Sequence, residues 1–142
     1  MVMQRARVTK KPQGTAKELP AQVPNWLGGH ERPAGAGAWF DKVNPATGAR
    51  LCRVARSGTD DVHEAIRCAT RVQQAWAEIP QVTRGAILHD VAMGLRTHRE
   101  AIARIVALET GKSPTAAREE TDGAIALGVF MAGEGQRLYG RT

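Results

Sequence analysis

The sequence predicts an α+β chain in which an N-terminal β-hairpin is followed by four α-helices. Two observations carry this prediction. Two short segments that include apolar residues flank a turn containing Pro and Gly, and the hydrophobic period changes from strand-like to helical after Ser57. The chain of 142 residues is long enough for one domain, but its aromatic content is only 4%. Most of any core must therefore come from Ala, Val, Ile and Leu.

The first segment, residues 1–24, is a basic leader that we expect to be disordered, with the folded part spanning 25–142. The leader holds five basic residues against one acidic residue, and so +4 of the net charge of +6. A basic tail of this kind is usually solvated, whereas binding to a nucleic-acid backbone requires a basic surface on the folded part as well. The charge placement therefore disfavours a nucleic-acid-binding protein, and we expect no nucleic-acid partner.

The predicted hairpin consists of residues 38–43 and 49–54. The connecting loop, 44–48, has Pro45 near its start and Gly48 at its end. Pro fixes φ and Gly adopts a positive φ without strain, which is typical of a hairpin connection. Earlier in the chain, Trp26 and Leu27 precede two glycines and predict a further short strand and turn.

The first two helices follow from hydrophobic spacing. Thr59 is the predicted N-cap of the first helix, which Pro80 ends. One face of this helix carries apolar residues three or four apart: Val62, Ile66, Ala69, Val72 and Trp76. The second helix is predicted over residues 83–96, with Ile87, Val91 and Leu95 along one stripe.

The third and fourth helices are bounded by capping signals. Thr97 and Glu100 predict a capping box at the start of the third helix, and Gly111 predicts its end. Ser113, followed by Pro at the first helical position, predicts the start of the fourth helix. That helix is predicted to run to about Tyr139, and its predicted apolar face is Ala124, Leu127, Met131 and Leu138.

The chain lacks the common signatures of catalysis and metal binding. There is no Gly-rich phosphate loop after a strand, and the four histidines lie far apart in the sequence. We interpret Cys52 and Cys68 as small buried apolar residues. The longest uncharged apolar stretch, 123–133, is too short to span a bilayer, and no secretory signal is visible near Met1. We therefore expect a cytoplasmic protein without a membrane partner.

Three stretches in order resemble the N-terminal part of aldehyde dehydrogenases. Residues 43–48 look like the family's Asn-Pro-x-Thr-Gly turn, and residues 108–113 look like its Leu-Glu-Thr-Gly-Lys-Pro segment, with Ser113 where Pro is usual. Residues 131–142 resemble the end of the family's third long N-terminal segment. The resemblance runs from about residue 26 to 142.

The resemblance implies an α+β fragment of a larger α/β fold, whose helices cover part of a Rossmann-type domain that binds NAD or NADP. In the family the catalytic cysteine, the general-base glutamate and the cofactor-binding residues lie further along, so we expect no catalytic residue here. The expected function is that of the N-terminal part of an aldehyde dehydrogenase, inactive alone and binding no cofactor alone. Its expected partner is the remainder of a dehydrogenase subunit or a homologous subunit.

The resemblance also implies one minor site. Many members hold a structural monovalent cation, and here its ligands would be the Val43 carbonyl and the Glu109 carboxylate, hard oxygen donors that suit such ions. An alternative function from a different class is a stand-alone helical protein-interaction module without catalysis.

Overall fold

The computed structural model describes residues 19–138, which form five short strands and then four helices. The predicted order of a hairpin followed by four helices is confirmed. The strands are β1 (Gln22–Val23), β2 (Asn25–Leu27), β3 (His30–Arg32), β4 (Trp39–Val43) and β5 (Arg50–Ala55). The helices are α1 (Thr59–Glu78), α2 (Gln81–Thr97), α3 (Arg99–Thr110) and α4 (Pro114–Ala132), followed by a 3₁₀ helix (Gly133–Gln136).

Strands β4 and β5 form the predicted antiparallel hairpin, with Lys42 opposite Cys52 and an irregularity of register between Lys42 and Val43. In the turn, the Asn44 side chain accepts a hydrogen bond from the backbone N–H of Ala46 at 2.8 Å, and Gly48 has φ of +71°. The positive φ of Gly48 is as predicted, and the Asn44 hydrogen bond is a turn that asparagine side chains commonly form.

Strand β1 adds to the hairpin in parallel beside β5, with Gln22 opposite Arg53. Gln22 and Val23 fall inside the predicted leader of residues 1–24, so the last part of that leader lies in a sheet. The first eighteen residues of the leader lie outside the described part of the chain. Strands β2 and β3 form a second hairpin through Gly28 and Gly29, both at positive φ, which confirms the predicted early strand and turn.

Helix α1 begins differently from the prediction. Its N-cap is Gly58, so the prediction that Thr59 is the N-cap is wrong by one residue. The carboxylate of Asp61 accepts hydrogen bonds from the backbone N–H groups of Gly58 and Gly35, each at 2.8 Å. Asp61 thus caps the helix and ties it to the loop between β3 and β4, a role that leaves no need for a Thr59 cap. The helix ends before Pro80, as predicted.

The boundary between α2 and α3 also differs from the prediction. The predicted capping box of Thr97 and Glu100 is wrong, because His98 precedes α3 without a side-chain cap. Thr97 Oγ1 instead donates to the carbonyl of Met93 at 3.0 Å, and the Glu100 carboxylate accepts from Arg118 on α4. Glu100 therefore pairs with Arg118 on the neighbouring helix instead of capping α3.

The junction between α3 and α4 agrees with its prediction. Gly111 ends α3 with φ of +73°, in the left-handed region that favours glycine. Ser113 Oγ accepts from the backbone N–H of Ala116 at 3.2 Å and caps α4, with Pro114 at the first helical position.

Helices α2, α3 and α4 pack together through small residues. A Cβ atom on Gly85 of α2 would lie 2.6 Å from the carbonyl oxygen of Ala132, and a Cβ on Gly128 would lie 3.2 Å from the Cβ of Ala92. The absence of side chains at these glycines lets the helix backbones approach closely. Each glycine in a helix interior costs about 0.5–1 kcal/mol relative to Ala. The close approach of the backbones explains why glycines occur here despite that cost.

Helix α4 ends at Ala132, so the prediction that it continues to about Tyr139 is wrong. Its predicted apolar face is exposed in this structure (Ala124, Leu127, Met131 and Leu138), whereas the buried residues of α4 are Ala117, Thr121, Ile125 and Ala132. The small residues allow the close contact with α2 and α3, and the larger ones consequently point outward.

The core of the described residues is thin. The buried apolar residues are Ala34, Cys52, Ala55, Ala92, Ala103, Ala117, Ile125 and Ala132. Ile125 is the only large aliphatic side chain in that set. The described part of the chain therefore buries mainly alanine, although its sequence is rich in Val, Ile and Leu.

Candidate functional site at the hairpin–helix junction

The turn after β4 contacts the end of α3. A Cβ on Gly111 would lie 3.2 Å from Pro45 Cγ and 3.9 Å from the backbone nitrogen of Ala46. Two motifs that are far apart in the sequence, the Asn-Pro-x-Thr-Gly turn and the Leu-Glu-Thr-Gly segment, therefore meet in space. We call this contact region the hairpin–helix junction.

The two predicted cation ligands lie on the elements that form the junction, Val43 at the end of β4 and Glu109 near the end of α3. The Glu109 carboxylate already has a cationic partner, because Lys42 Nζ lies 3.2 Å from Glu109 Oε2. Among residues 19–138 no group of three or more His, Cys, Asp or Glu side chains is placed to hold a metal ion. Of the two predicted ligands only Glu109 is charged, and Lys42 pairs with that charge.

Cys52 lies beside this ion pair and is buried, with 3% of its surface exposed, as predicted. Burial raises the pKa of the Cys52 thiol, the Glu109 carboxylate raises it further, and the Lys42 ammonium partly offsets both effects. A thiol with a raised pKa stays protonated and is a poor nucleophile. This environment agrees with an apolar, non-catalytic cysteine.

The prediction that Cys68 is buried is wrong, because this residue is partly exposed on α1. Its Sγ lies 3.4 Å from Glu64 Oε1 and 3.0 Å from an Arg71 guanidinium nitrogen. The Glu64 carboxylate also pairs with Arg67 at 2.8 Å. Cys68 faces the edge of a charged cluster on α1 rather than a core.

The connection between β5 and α1 consists of residues 56–58. Here it contains one glycine, and the Asp61 carboxylate accepts the backbone N–H of Gly58. Hydrogen bonds from Gly58 and Gly35 lower the pKa of Asp61, so the carboxylate is ionised at neutral pH. An ionised carboxylate thus lies at the N-terminus of α1, where the helix dipole favours negative charge.

The four histidines are exposed. They are His30, His63, His89 and His98.

An ion-pair network between α3 and α4 was not predicted from the sequence. Arg99 donates two hydrogen bonds to the Asp122 carboxylate at 2.5 and 2.6 Å, and Arg118 donates to Glu100 at 3.1 Å. The Arg99 hydrogen bond lowers the pKa of Asp122, and the Arg118 hydrogen bond lowers that of Glu100. The network joins residues about twenty positions apart, so helical spacing alone gives no signal for it.

Large apolar side chains are exposed over three of the four helices. On α1, Val62, Ile66 and Val72 are 53%, 57% and 61% exposed, and no residue of that helix is buried. On α4, Leu127 and Phe130 are 60% and 61% exposed. Further exposed apolar side chains lie on α2: Val82, Ile87, Leu88, Val91 and Leu95.

We refer to these surfaces as the apolar faces of α1, α2 and α4. The described residues include no helix long and apolar enough to cross a membrane.

Residues 32–142 match the model of the aldehyde dehydrogenase family. The match extends over more than half of the chain, and the chain therefore belongs to this family.

Individual relatives agree with that assignment. The chain is 33% identical over 116 residues to the succinate-semialdehyde dehydrogenase (NADP⁺) GabD of Escherichia coli, a match that covers 82% of this chain and 24% of the relative. It is 33% identical over 118 residues to malonate-semialdehyde dehydrogenase 2 of Oceanobacillus iheyensis, covering 83% of this chain and 24% of the relative. The chain thus spans about a quarter of the length of these relatives.

Solved structures show the same fold. Lactaldehyde dehydrogenase from Escherichia coli superimposes with a TM-score of 0.82 at 29% identity, covering 87% of this chain and 26% of that one. HpcC from Thermus thermophilus superimposes with a TM-score of 0.81 at 26% identity, covering 89% of this chain and 24% of that one. The hairpin and four helices of this chain are therefore part of the aldehyde dehydrogenase fold.

Proposed function

We propose that this chain is the N-terminal part of an NAD(P)-dependent aldehyde dehydrogenase and is inactive alone. The intact enzyme would oxidise an aldehyde to a carboxylic acid, with NAD or NADP accepting the hydride. The partner of this chain would be the remainder of a dehydrogenase subunit or a homologous subunit. Family membership and the coverage of about a quarter of each relative support this proposal.

The single observation that carries the proposal is the exposure of the apolar faces. Helix α1 buries none of its residues, although its apolar side chains recur at the spacing of one helix face. The second half of α4 is apolar on all sides, which is typical of a helix buried within a larger protein. Exposed apolar surface of this extent marks a contact with another protein layer.

The apolar faces also support inactivity of the isolated chain, because a helix layer without its partner provides no enclosed substrate pocket. The position of Asp61 at the N-terminus of α1 supports the view that this segment does not bind the cofactor phosphates. We further propose a cytoplasmic location, which the two free cysteines support, since oxidising compartments favour disulfides.

The first test is a thermal melt of the purified chain by circular dichroism, with a dye that reports exposed apolar surface. The proposal predicts a helical signal, strong dye binding and no cooperative transition, because the apolar faces lack their partner. A cooperative transition with little dye binding would instead favour the alternative, a stand-alone helical interaction module.

The second test restores the missing partner. The part of Escherichia coli GabD that follows the matched segment is co-expressed with this chain, and NADP⁺-dependent oxidation of succinate semialdehyde is measured. We expect activity only when both parts are present.

Two α1 variants provide a matched pair for this experiment. Ile66→Asp places a charge on the apolar face and should abolish the restored activity. Gln74→Asp places the same charge at an exposed position of α1 outside the apolar face and should leave it intact. Equal activity of both variants would contradict a role for the α1 face in assembly.

A further inference from the structure

The hairpin–helix junction carries its own positive charge at the position where the family resemblance predicts a monovalent cation. Lys42 Nζ lies 3.2 Å from Glu109 Oε2, and both side chains are about one-third exposed, at 34% and 36%. Glu109 is the only carboxylate in the predicted ligand pair, since Val43 would contribute a backbone carbonyl.

We propose that the Lys42 ammonium takes the place of the monovalent cation in this chain. The hairpin–helix junction is then closed by an internal ion pair between β4 and α3, and its geometry does not depend on Na⁺ or K⁺. This inference goes beyond the proposed function and holds whether or not the chain works inside a longer subunit.

The backbone directs Lys42 toward α3. Lys42 is the register partner of Cys52, which is buried, and the irregularity of the β4–β5 ladder falls directly after Lys42. Irregularities of this kind bend a strand and re-aim its side chains. The same stretch of β4 therefore supplies the ammonium at residue 42 and the expected carbonyl ligand at residue 43.

Electrostatics make the ammonium and a bound cation competitors. An ion on the Glu109 carboxylate would lie within a few ångströms of Lys42 Nζ, and two like charges at that distance repel. The charges of Lys42 and Glu109 cancel. No group of three acidic or other metal-binding side chains is placed at the junction, within residues 19–138, to hold a second cation.

The full 142-residue chain is suited to a direct test by zero-length cross-linking. A carbodiimide activates a carboxylate, and a neighbouring lysine amine then forms an amide bond while one carboxylate oxygen leaves as part of the urea. We expect a Lys42–Glu109 cross-link, found by peptide mass spectrometry. The ion pair between Lys112 and Glu120 provides an internal control for the reaction.

The reaction is run in KCl, NaCl and choline chloride at equal ionic strength. We expect the same yield of Lys42–Glu109 product in all three salts. The absence of this product, or a loss of yield specific to K⁺ or Na⁺, would overturn the proposal.

A variant makes the test independent of cross-link yield. In Lys42→Met the Glu109 carboxylate loses its internal partner, so K⁺ should protect it from coupling to an added amine, whereas choline should not. In the wild-type chain and in Lys112→Met, coupling at Glu109 should not change with K⁺. Protection of Glu109 by K⁺ in the wild-type chain would show that the cation, and not Lys42, neutralises this carboxylate.

Discussion

Helix α1 and the unit formed by α2, α3 and α4 differ in how they treat their apolar surface: α1 leaves it exposed, whereas the other three helices pack against each other. Helix α1 has an apolar face with regular spacing but buries no residue, and its principal neighbour is the short strand β2. Helices α2, α3 and α4 have less regular apolar faces, yet they pack on each other through glycine and alanine. Ion pairs also join α3 to α4.

Hydrophobic spacing and burial within one chain are therefore separate properties. Spacing identifies the face of a helix that needs a partner, but the partner can lie outside the chain. Close approach of two backbones is instead encoded by small residues, which give almost no hydrophobic periodicity. In this chain the small residues form the internal core, and the large apolar residues form the apolar faces.

Truncating a buried isoleucine should destabilise the chain more than any other change considered below. Ile125→Ala on α4 removes the one large aliphatic side chain buried among residues 19–138, which is 4% exposed, and should lower the stability of α4 by about 2–3 kcal/mol. Hydrogen exchange of the α4 backbone amides measures this loss even without a cooperative melt.

Ile66→Ala on α1 is the matched control. Ile66 is 57% exposed, so the change should alter the protection of α1 amides by less than about 0.5 kcal/mol. Equal losses at both sites would contradict the distinction between the two regions.

A pair of glycine substitutions tests the close contact of α2 with α4 through its contribution to stability. Gly85→Ala would place a methyl group 2.6 Å from the carbonyl oxygen of Ala132, so the helices must separate, at an expected cost of about 1–3 kcal/mol. Gly94→Ala lies on the same helix with nothing within 4 Å, and it should stabilise α2 by about 0.5–1 kcal/mol. Opposite shifts in amide protection are expected, and shifts of the same sign would refute the role of Gly85.

A smaller loss of stability is expected at the start of α4. Ser113→Ala removes the side-chain acceptor for the Ala116 backbone N–H and should cost about 1 kcal/mol. The loss should concentrate in the first turn of α4 when amide exchange is compared along the helix. Thr115→Ala, an exposed change within the same turn, serves as the control and should leave this protection nearly unchanged.

The smallest effect concerns the pH dependence at the start of α1. The folded-state pKa of Asp61 is lowered by hydrogen bonds from Gly58 and Gly35, so its stabilising contribution is present above the unfolded pKa, about 3.9. That contribution is lost as the pH falls through the lower, folded-state value.

Backbone amide NMR provides the measurement. The Gly58 and Gly35 N–H resonances should titrate together, with a common midpoint below the ordinary value for Asp. In Asp61→Asn this common titration should disappear. Independent midpoints for the two glycines would show that one carboxylate does not hold both groups.

The order of the elements and several of their boundaries follow from sequence signals alone. Pro45 and Gly48 fixed the hairpin turn, and Gly111 and Ser113 fixed the junction of α3 with α4. These predictions succeed because a proline, a positive-φ glycine or a capping hydroxyl acts within a few residues of its own position.

Which helix faces are buried and which side chains pair depends on contacts between elements. The partners of Asp61, Glu100 and Glu109 lie on other elements, so local capping rules could not identify them. The predicted apolar face of α4 is exposed because Ala and Gly let the backbones approach where Leu127 and Met131 would not fit. Burial depends on the shape of the neighbouring surface, and the hydrophobic spacing of a single helix does not determine that shape.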